Sequence, residues 1–241
     1  GGGRTGGGAL GEGRESAGCS GDCACGGERR GETGLAARIP AGSDPGECAP
    51  VLWAGVTVYK GLKMTEARPG QWVTISGIGG LGHIAVQYAV AMGLRVAAVD
   101  IADDKLALAK KHGAELTVNA LHEDPAEVIQ RETGGCHGVL VTAVHPSAFG
   151  QAIGMARRGG TIVFNGLPPG DFPAPIFEIV LKGLTVRGSI VGTRQDLEEA
   201  LEFYAEGKIH PTVSTRELSE VNAVLDEMKH AKIDGRVVIK Y

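Results

Sequence analysis

The amino-acid sequence predicts an α/β protein with a doubly wound, six-stranded parallel sheet and an incomplete second domain. Between residues 56 and 192, short apolar runs alternate with helical patterns in the order that a doubly wound sheet requires. A turn of the form G-x-G-x-x-G follows the first of these runs. Residues 193–241 supply only two helices and two short strands, too few to build a hydrophobic core of their own.

The first strand and the glycine-rich turn begin a βαβ unit. Residues 73–75 form a short, mostly apolar strand of the kind that is buried on both faces of a parallel sheet. Gly77 permits a tight turn, Gly79 leaves room where a pyrophosphate would approach the backbone, and Gly82 lets helix and strand pack closely. The apolar face of the following helix consists of Leu81, Ile84, Ala85, Tyr88, Ala89 and Met92. Its N-terminus carries roughly +0.5 elementary charge, which favours a bound phosphate.

An acidic residue, Asp100, ends the second predicted strand, over 95–100. A carboxylate there accepts hydrogen bonds from the adenosine ribose hydroxyls and repels a 2′-phosphate, so Asp100 favours NAD over NADP. Two alternatives stay open from the residues alone. A glycine-rich turn can join a strand to a helix without any ligand, and an acid at a strand end can be a solvated cap of the next helix.

The other predicted elements continue the alternation. An apolar helix over 48–62 leads into the first strand. After Asp100 we predict helices over 103–112, 124–132, 146–156 and 176–181. We predict strands over 116–118, 138–142, 160–165 and 184–189. The final segment is predicted as a helix over 195–205, a strand over 212–214, a helix striped by apolar residues over 218–228 and a strand over 236–240. We expect Val213 and residues 237–239 to be exposed and to favour aggregation.

The first 36 residues differ in composition from the rest. They contain 14 glycines, no lysine and no aromatic residue. Such a segment cannot bury enough apolar surface to offset the entropy lost on ordering, so we predict that residues 1–36 are disordered.

Composition narrows the class of partner. The formal net charge is −4 and no run of Lys or Arg occurs, so the sequence predicts neither nucleic-acid nor membrane-surface binding. The chain lacks an apolar stretch of about 18 residues, the length that a bilayer span needs. Five cysteines without a disulfide-like pattern, and no secretory signal, predict a reducing, cytoplasmic setting.

Several separate motifs carry a family resemblance. They are APVLWAGVTVYKG at 49–61, SGIGGLGH at 76–83, GLP at 166–168, GSIVG at 188–192 and GRVV at 235–238. In this order they resemble the zinc-type medium-chain alcohol dehydrogenases, most closely the bacterial, propanol-preferring branch, from about Arg38 onward. The resemblance implies a catalytic-domain remnant and hinge at 37–55, an NAD-binding Rossmann domain at 56–192 and a C-terminal segment of the catalytic domain at 193–241.

The resemblance also implies three groups of NAD-binding residues, beyond the turn residue Gly77. The diphosphate group consists of Gly79, Gly80, Leu81 and Arg236. The ribose group consists of Asp100 and Lys105. The nicotinamide group consists of Thr57, Ala143, Asn165, Leu167, Ser189 and Val191. Without the resemblance, Lys105 and Arg236 would be interpreted as solvated charges, and Leu167 and Val191 as core residues.

The same resemblance implies a catalytic Zn²⁺ that this sequence is not expected to hold. In the family, three protein ligands bind the metal, and one of them is a Cys at the position of Trp53. No histidine precedes His83, so the family's upstream Gly-His-Glu motif is absent. Cys19, Cys23 and Cys25 do not match the family's structural-zinc spacing. We therefore predict no catalytic and no metal-ligating residue, a packing or capping role for His83 and a structural role for Cys136.

These observations favour an NAD-dependent alcohol dehydrogenase family, in which hydride transfer converts a primary alcohol to an aldehyde. For the 241-residue chain itself we expect NAD binding without turnover. The alternatives are a non-catalytic nucleotide-binding module and a zinc-free reductase of the quinone or enoyl type. Asp100 argues against such a reductase, because we expect many of those enzymes to use NADPH. The expected partners are a small alcohol or aldehyde and a second copy, joined through the edge strand near 184–189.

Overall fold

A computed structural model describes residues 37–230 and 232–240. The predicted disordered segment, with Cys19, Cys23 and Cys25, lies outside the described residues. The main sheet has six strands: β1 (Trp72–Ser76), β2 (Arg95–Asp100), β3 (Leu116–Asn119), β4 (Cys136–Val141), β5 (Ala156–Phe164) and β6 (Thr185–Gly188). Their order is β3-β2-β1-β4-β5-β6, with every neighbouring pair parallel. The predicted doubly wound parallel sheet is confirmed.

Nine α-helices occur within the described ranges. They are α1 (Pro45–Pro50), α2 (Val56–Met64), α3 (Gly82–Ala91), α4 (Asp103–Lys111), α5 (Pro125–Thr133), α6 (Pro146–Met155), α7 (Ile176–Lys182), α8 (Arg194–Ala205) and α9 (Val221–Lys229). None of the helices in this part of the chain combines the length and hydropathy that a membrane span requires.

The predicted helix over 48–62 begins earlier than expected and is interrupted. A π-helical segment, Val51–Gly55, separates α1 from α2. Pro50 lacks the N–H that a regular α-helix would use at this point. Gly55 packs closely, since a Cβ there would lie 3.2 Å from the Tyr88 hydroxyl. π-helical turns of this kind often occur at functional sites, and this one presents Trp53 to solvent, 65% exposed.

The core has two layers, one on each face of the sheet. Val73 and Ile75 of β1 pack in the same apolar cluster as side chains from α2, α3 and α4. The opposite layer contains Val139 and Val141 of β4 with side chains from α5 and α6. Helices on both faces explain why the central strands are apolar throughout rather than alternating.

The segment after β6 does not depend wholly on a second domain. Leu201 of α8 is buried against Cys48 and Val51, and the Tyr88 hydroxyl donates to Ala200 O at 2.9 Å. Lys63 of α2 also contacts the carboxylate of Asp196, at 2.9 Å. Part of this segment therefore shares the core of the six-stranded sheet.

The last two strands form a small sheet of their own. β7 (Val213–Glu217) pairs in parallel with β8 (Arg236–Lys240). A 3₁₀ turn, Leu218–Glu220, and α9 connect them. Val213 and residues 237–239 are half-buried, so the expectation that they would be exposed is wrong. The reason is that pairing and the packing of β7 and β8 beside α1 cover these side chains.

Candidate functional site

The glycine-rich turn joins β1 to α3, and two of its glycines are required by contacts within the protein. Gly77 has φ +94°, and a Cβ there would lie 2.6 Å from Ala143 N. A Cβ on Gly82 would lie 1.8 Å from Gly77 O. Gly79 differs, because nothing lies within 4 Å of the position its Cβ would take. The missing side chain of Gly79 thus leaves open space beside the turn.

The hydrogen-bonding groups of the turn are divided between the protein and that open space. Three carbonyl oxygens accept side-chain bonds: Gly77 O from Thr142 at 2.6 Å, Gly79 O from His83 at 3.0 Å and Gly80 O from Arg236 at 2.9 Å. Among the described residues, no acceptor is recorded for the backbone N–H groups of Gly79, Gly80 and Leu81. Free donors beside the positive end of a helix form an anion-binding arrangement.

Asp100 lies at the end of β2 and supports the turn directly. Its Oδ2 accepts from Ile78 N at 2.5 Å, and its Oδ1 accepts from Ile101 N at 2.7 Å and Ala102 N at 3.1 Å. The carboxylate therefore ties the turn to the loop before α4, and Oδ2, which accepts a single bond, retains capacity for another donor. Lys105 is half-buried in the first turn of α4.

Arg236 reaches the turn from β8. Its Nε donates to Gly80 O, while its Nη2 is buried and has no partner within residues 37–230 and 232–240. Burial lowers the pKa of the Arg236 guanidinium. A buried, unpaired guanidinium is costly, and an anion at the turn would offset that cost. Arg236 is thus not the solvated surface charge that the residues alone would suggest.

Asn165 and Ser189 adjoin at the carboxyl ends of β5 and β6. Asn165 Nδ2 donates to Ser189 O at 2.7 Å. Asn165 Oδ1 and Ser189 Oγ are buried and lack hydrogen-bond partners in the described part of the chain. Ala143 lies nearby at the end of β4, where its N–H donates to Ser76 O at 3.0 Å. Two orphaned polar atoms at one sheet edge are suited to a polar ligand group.

The remaining residues predicted for the nicotinamide group differ in burial and backbone conformation. Thr57 is buried in α2 and donates to Trp53 O at 2.6 Å. Val191 has φ +48°, a rare and strained conformation for a β-branched residue. Leu167 is 80% exposed, which rules out a core role. Leu167 and Ser189 line a cavity of about 520 Å³, together with the aromatic cluster Phe149, Phe164 and Phe172.

The topology explains why these residues lie at one edge. The chain reverses the direction of strand addition between β1 and β4, and ligands of open α/β sheets bind at such a switch point. Except for Thr57 in α2, the predicted positions follow the carboxyl ends of β1, β2, β4, β5 and β6, with Arg236 added from β8. Their contacts with a cofactor remain predictions.

Two residues that support the turn were not predicted as such. Thr142 Oγ1 donates to Gly77 O, and no pattern in the sequence singles it out. His83 was expected to pack or cap, but its ring contacts both Gly79 O and Thr212 N. The second contact joins positions far apart in the chain, so local periodicity carries no sign of it.

The described residues do not fit a zinc ion. No group of three His, Cys, Asp or Glu side chains in the described ranges is arranged to hold a metal. Cys48 and Cys136 are both buried. Burial raises the pKa of the Cys136 thiol to about 11, and Thr74 donates to its Sγ at 3.0 Å. These contacts suit a structural cysteine.

An anion-binding turn at the switch point of a doubly wound sheet, with an acid after the second strand, is typical of the dinucleotide-binding domains of dehydrogenases. The zinc-binding dehydrogenase family model matches residues 80–206, more than half of the sequence. The chain belongs to this family, and its resemblance to the zinc-type alcohol dehydrogenases is confirmed.

Individual relatives agree. The chain is 64% identical over 203 residues to an alcohol dehydrogenase of Moraxella sp. (strain TAE123), matching 84% of this chain and 60% of the relative. It therefore spans about 60% of the length of that curated relative.

Two solved structures show the same fold. The alcohol dehydrogenase of Aeropyrum pernix is 29% identical, with a TM-score of 0.77, over 84% of this chain and 61% of that one. The acetophenone reductase of Geotrichum candidum NBRC 4597, solved in complex with NAD, is 25% identical, with a TM-score of 0.76, over 85% of this chain and 58% of that one.

Proposed function

We propose that this chain supplies the NAD-binding part of an NAD-dependent alcohol dehydrogenase that converts primary alcohols to aldehydes. The observation that carries the proposal is the buried, unpartnered Nη2 of Arg236 beside the free N–H groups of the glycine-rich turn. A buried guanidinium beside free N–H donors favours a bound anion, and the diphosphate of a dinucleotide is such an anion. The proposed organisation is a hinge remnant at 37–55, the NAD-binding domain at 56–192 and a catalytic-domain segment at 193–241.

Each group of residues has a distinct task in this proposal. The turn and Arg236 bind the diphosphate, and Asp100 and Lys105 hold the adenosine ribose. Ser189 orients the nicotinamide carboxamide, and Asn165, which donates to Ser189 O, holds Ser189 in place. The bound cofactor supplies the hydride acceptor. What these residues contribute is fixed placement of the ring, since hydride transfer requires near-attack geometry.

Titration calorimetry with NAD⁺ and NADP⁺ tests the proposal directly. We expect NAD⁺ to bind. NADP⁺ should bind at least about tenfold more weakly, because Asp100 repels the 2′-phosphate. Adenosine alone should bind far more weakly than ADP-ribose, since it lacks the diphosphate. Failure of both dinucleotides to bind folded protein would overturn the proposal.

Binding without turnover is a second candidate, and Trp53 favours it. The indole occupies the position at which the family places a cysteine ligand, and it lies on the exposed side of the π-helical segment. An indole does not ligate zinc, and its N–H only donates. Assays of ethanol and propanol oxidation with NAD⁺, with and without added zinc, separate the two candidates. Turnover by the 241-residue chain would contradict this second candidate.

We also propose that two copies associate through the edge strand near 184–189. Val186 of β6 is partly exposed, and β6 has one neighbour, β5, in the described sheet. The adjacent α7 exposes Ile176, Phe177 and Val180, so the edge is both open and apolar. Sedimentation velocity should show a dimer that Val186→Lys dissociates, whereas Thr185→Lys, on the opposite side of the strand, should have a smaller effect.

A further inference from the structure

His83 occupies a position between the glycine-rich turn and the C-terminal strands. Its side chain is fully buried in the first turn of α3. The ring Nδ1 lies 3.0 Å from Gly79 O, and Thr212 N lies 3.2 Å from the ring Nε2. One imidazole therefore contacts the turn on one side and the segment leading into β7 on the other.

The two contacts determine the tautomer of the ring. A backbone N–H can only donate, so Nε2 must accept from Thr212. The proton must then lie on Nδ1, which donates to Gly79 O. A protonated imidazole would place Nε2–H against Thr212 N–H. Burial is the largest cause and lowers the pKa of His83 to about 4; the hydrogen bond to Gly79 O opposes this shift, and His112 and Arg236 add to it.

The hydrogen bonds of His83 and Thr212 extend through Arg236 back to the turn and so form a closed circuit. Thr212 O accepts from Arg236 N at 2.8 Å, and Arg236 Nε donates to Gly80 O at 2.9 Å. Four hydrogen bonds thus connect Gly79 to Gly80 through His83, Thr212 and Arg236. The path is tight, because a Cβ on Gly235 would lie 2.2 Å from Thr212 O.

A second side chain of α3 reinforces the same junction. Gln87, one turn after His83, accepts from His210 N at 2.7 Å and donates to His210 O at 3.1 Å. The groups that face the His83 ring are His112, whose ring centroid lies 6.4 Å away, and Arg236. Neither is acidic, so among residues 37–230 and 232–240 no carboxylate at this point stabilises a protonated ring.

We propose that His83 is a positioning residue for the dinucleotide: it fixes Thr212, and through Thr212 it holds Arg236 at the diphosphate position of the turn. The inference deepens the proposed function and rests on it. The structural reason is that Arg236, which pairs with Val213 in the small sheet, contacts the turn directly at Gly80 O and is connected to it a second time through Thr212 and His83. Without the His83 contact, Thr212 N would lose its acceptor, and the backbone bond from Arg236 N to Thr212 O would no longer be tied to the turn through the imidazole.

Three substitutions separate positioning from packing. In His83→Gln the amide oxygen takes the place of Nε2 and can still accept from Thr212 N. In His83→Asn the shorter amide takes the place of Nδ1, so the Gly79 contact survives and the Thr212 contact is lost. We expect the affinity for NAD⁺ to fall less than about threefold in His83→Gln and about tenfold in His83→Asn. Tyr88→Phe, which removes a buried bond to Ala200 on the same helix, should leave the affinity unchanged.

A double-mutant cycle gives the decisive measurement. If His83 acts through Arg236, His83→Asn should cost less than about twofold in an Arg236→Gln background. Fully additive losses would mean that His83 only packs, and would overturn the inference while NAD⁺ binding by the original protein upholds the proposed function. Absence of NAD⁺ binding by the original protein would overturn both.

A spectroscopic measurement keeps the inference testable if a variant does not fold. Long-range ¹H–¹⁵N spectra of the original protein should show His83 as the neutral Nδ1–H tautomer from neutral pH down to about pH 5. The Nε2–H tautomer, or an imidazolium at neutral pH, would contradict the circuit.

Discussion

The two ends of the candidate cofactor site are built differently. At the diphosphate end, the carbonyl oxygens of Gly77, Gly79 and Gly80 each accept a hydrogen bond from a side chain. The Nη2 atom of Arg236 is buried there. At the nicotinamide end, Leu167 is 80% exposed and Ile190 is 76% exposed. The chain's own segments therefore complete the first end but leave the second open. We infer that most of the binding free energy is generated at the diphosphate end.

The largest effect is expected from the glycines of the turn. Gly82→Ala forces a Cβ against Gly77 O, so we expect a loss of stability of about 3 kcal/mol and no measurable NAD⁺ binding. Gly79→Ala is the matched control, because no atom lies within 4 Å of its Cβ position. Its stability should change by less than about 1 kcal/mol, while a Cβ in the diphosphate space weakens NAD⁺ about 100-fold. Urea unfolding and calorimetry measure the two quantities. Equal NAD⁺ affinity of Gly79→Ala and the original protein would place the diphosphate elsewhere.

A large pH effect is also expected at this end. The folded pKa of His83, about 4, lies below its ordinary value of 6.5. The unfolded chain therefore binds more protons between these values. The neutral ring of His83 therefore contributes to the unfolding free energy. This contribution is fully present above pH 6.5 and is lost as the pH falls through 4. The contribution is on the order of 3 kcal/mol, and His83→Gln should abolish it. A profile for His83→Gln that matches the original would contradict this assignment.

Arg236 tests whether the enclosed charge serves a ligand. Replacing it with Gln removes an unpaired buried cation, so the stability of the free protein should hold or rise. The affinity for NAD⁺ should fall by about 2 kcal/mol, roughly thirtyfold, since a charge-assisted contact is lost. Arg187→Gln is the control, because its ion pair with Glu66 is on the surface. A large loss of stability with unchanged affinity would make Arg236 a structural residue.

The diphosphate end was also the more predictable one. Its glycines follow from local sterics, and the apolar face of α3 follows from helical spacing. The circuit through His83 was not predictable, because Thr212 belongs to a different part of the chain. At the nicotinamide end, the apolar side chain of Leu167 would by itself predict a core residue, but it lies on the surface. The π-helical segment around Trp53 was not predicted either, because the apolar spacing over 48–62 is the same for a continuous helix.

Substitution of Asp100 should change the preference between NAD⁺ and NADP⁺. Its effect on the affinity for NAD⁺ should be smaller. Asp100→Asn keeps an oxygen that can accept from Ile78 N but removes the negative charge. We expect the preference for NAD⁺ over NADP⁺ to narrow about tenfold, or about 1.4 kcal/mol. Asp103→Asn, which changes the charge a few residues away in α4, should leave the preference within about twofold. An unchanged preference in Asp100→Asn would limit Asp100 to its backbone contacts.

The smallest effect is expected at the open end, at Val191. Its φ of +48° is strained for a β-branched side chain, whereas glycine adopts this conformation freely. The strain is about 1–3 kcal/mol, and the added entropy of glycine in the unfolded chain offsets about 0.5–1 kcal/mol. Val191→Gly should therefore raise the unfolding free energy by about 1 kcal/mol and change NAD⁺ affinity less than about threefold. Val186→Gly, on β6, should instead lower stability. A loss of NAD⁺ affinity in Val191→Gly as large as that in Arg236→Gln would show that the nicotinamide end contributes equally, and the contrast between the two ends would fail.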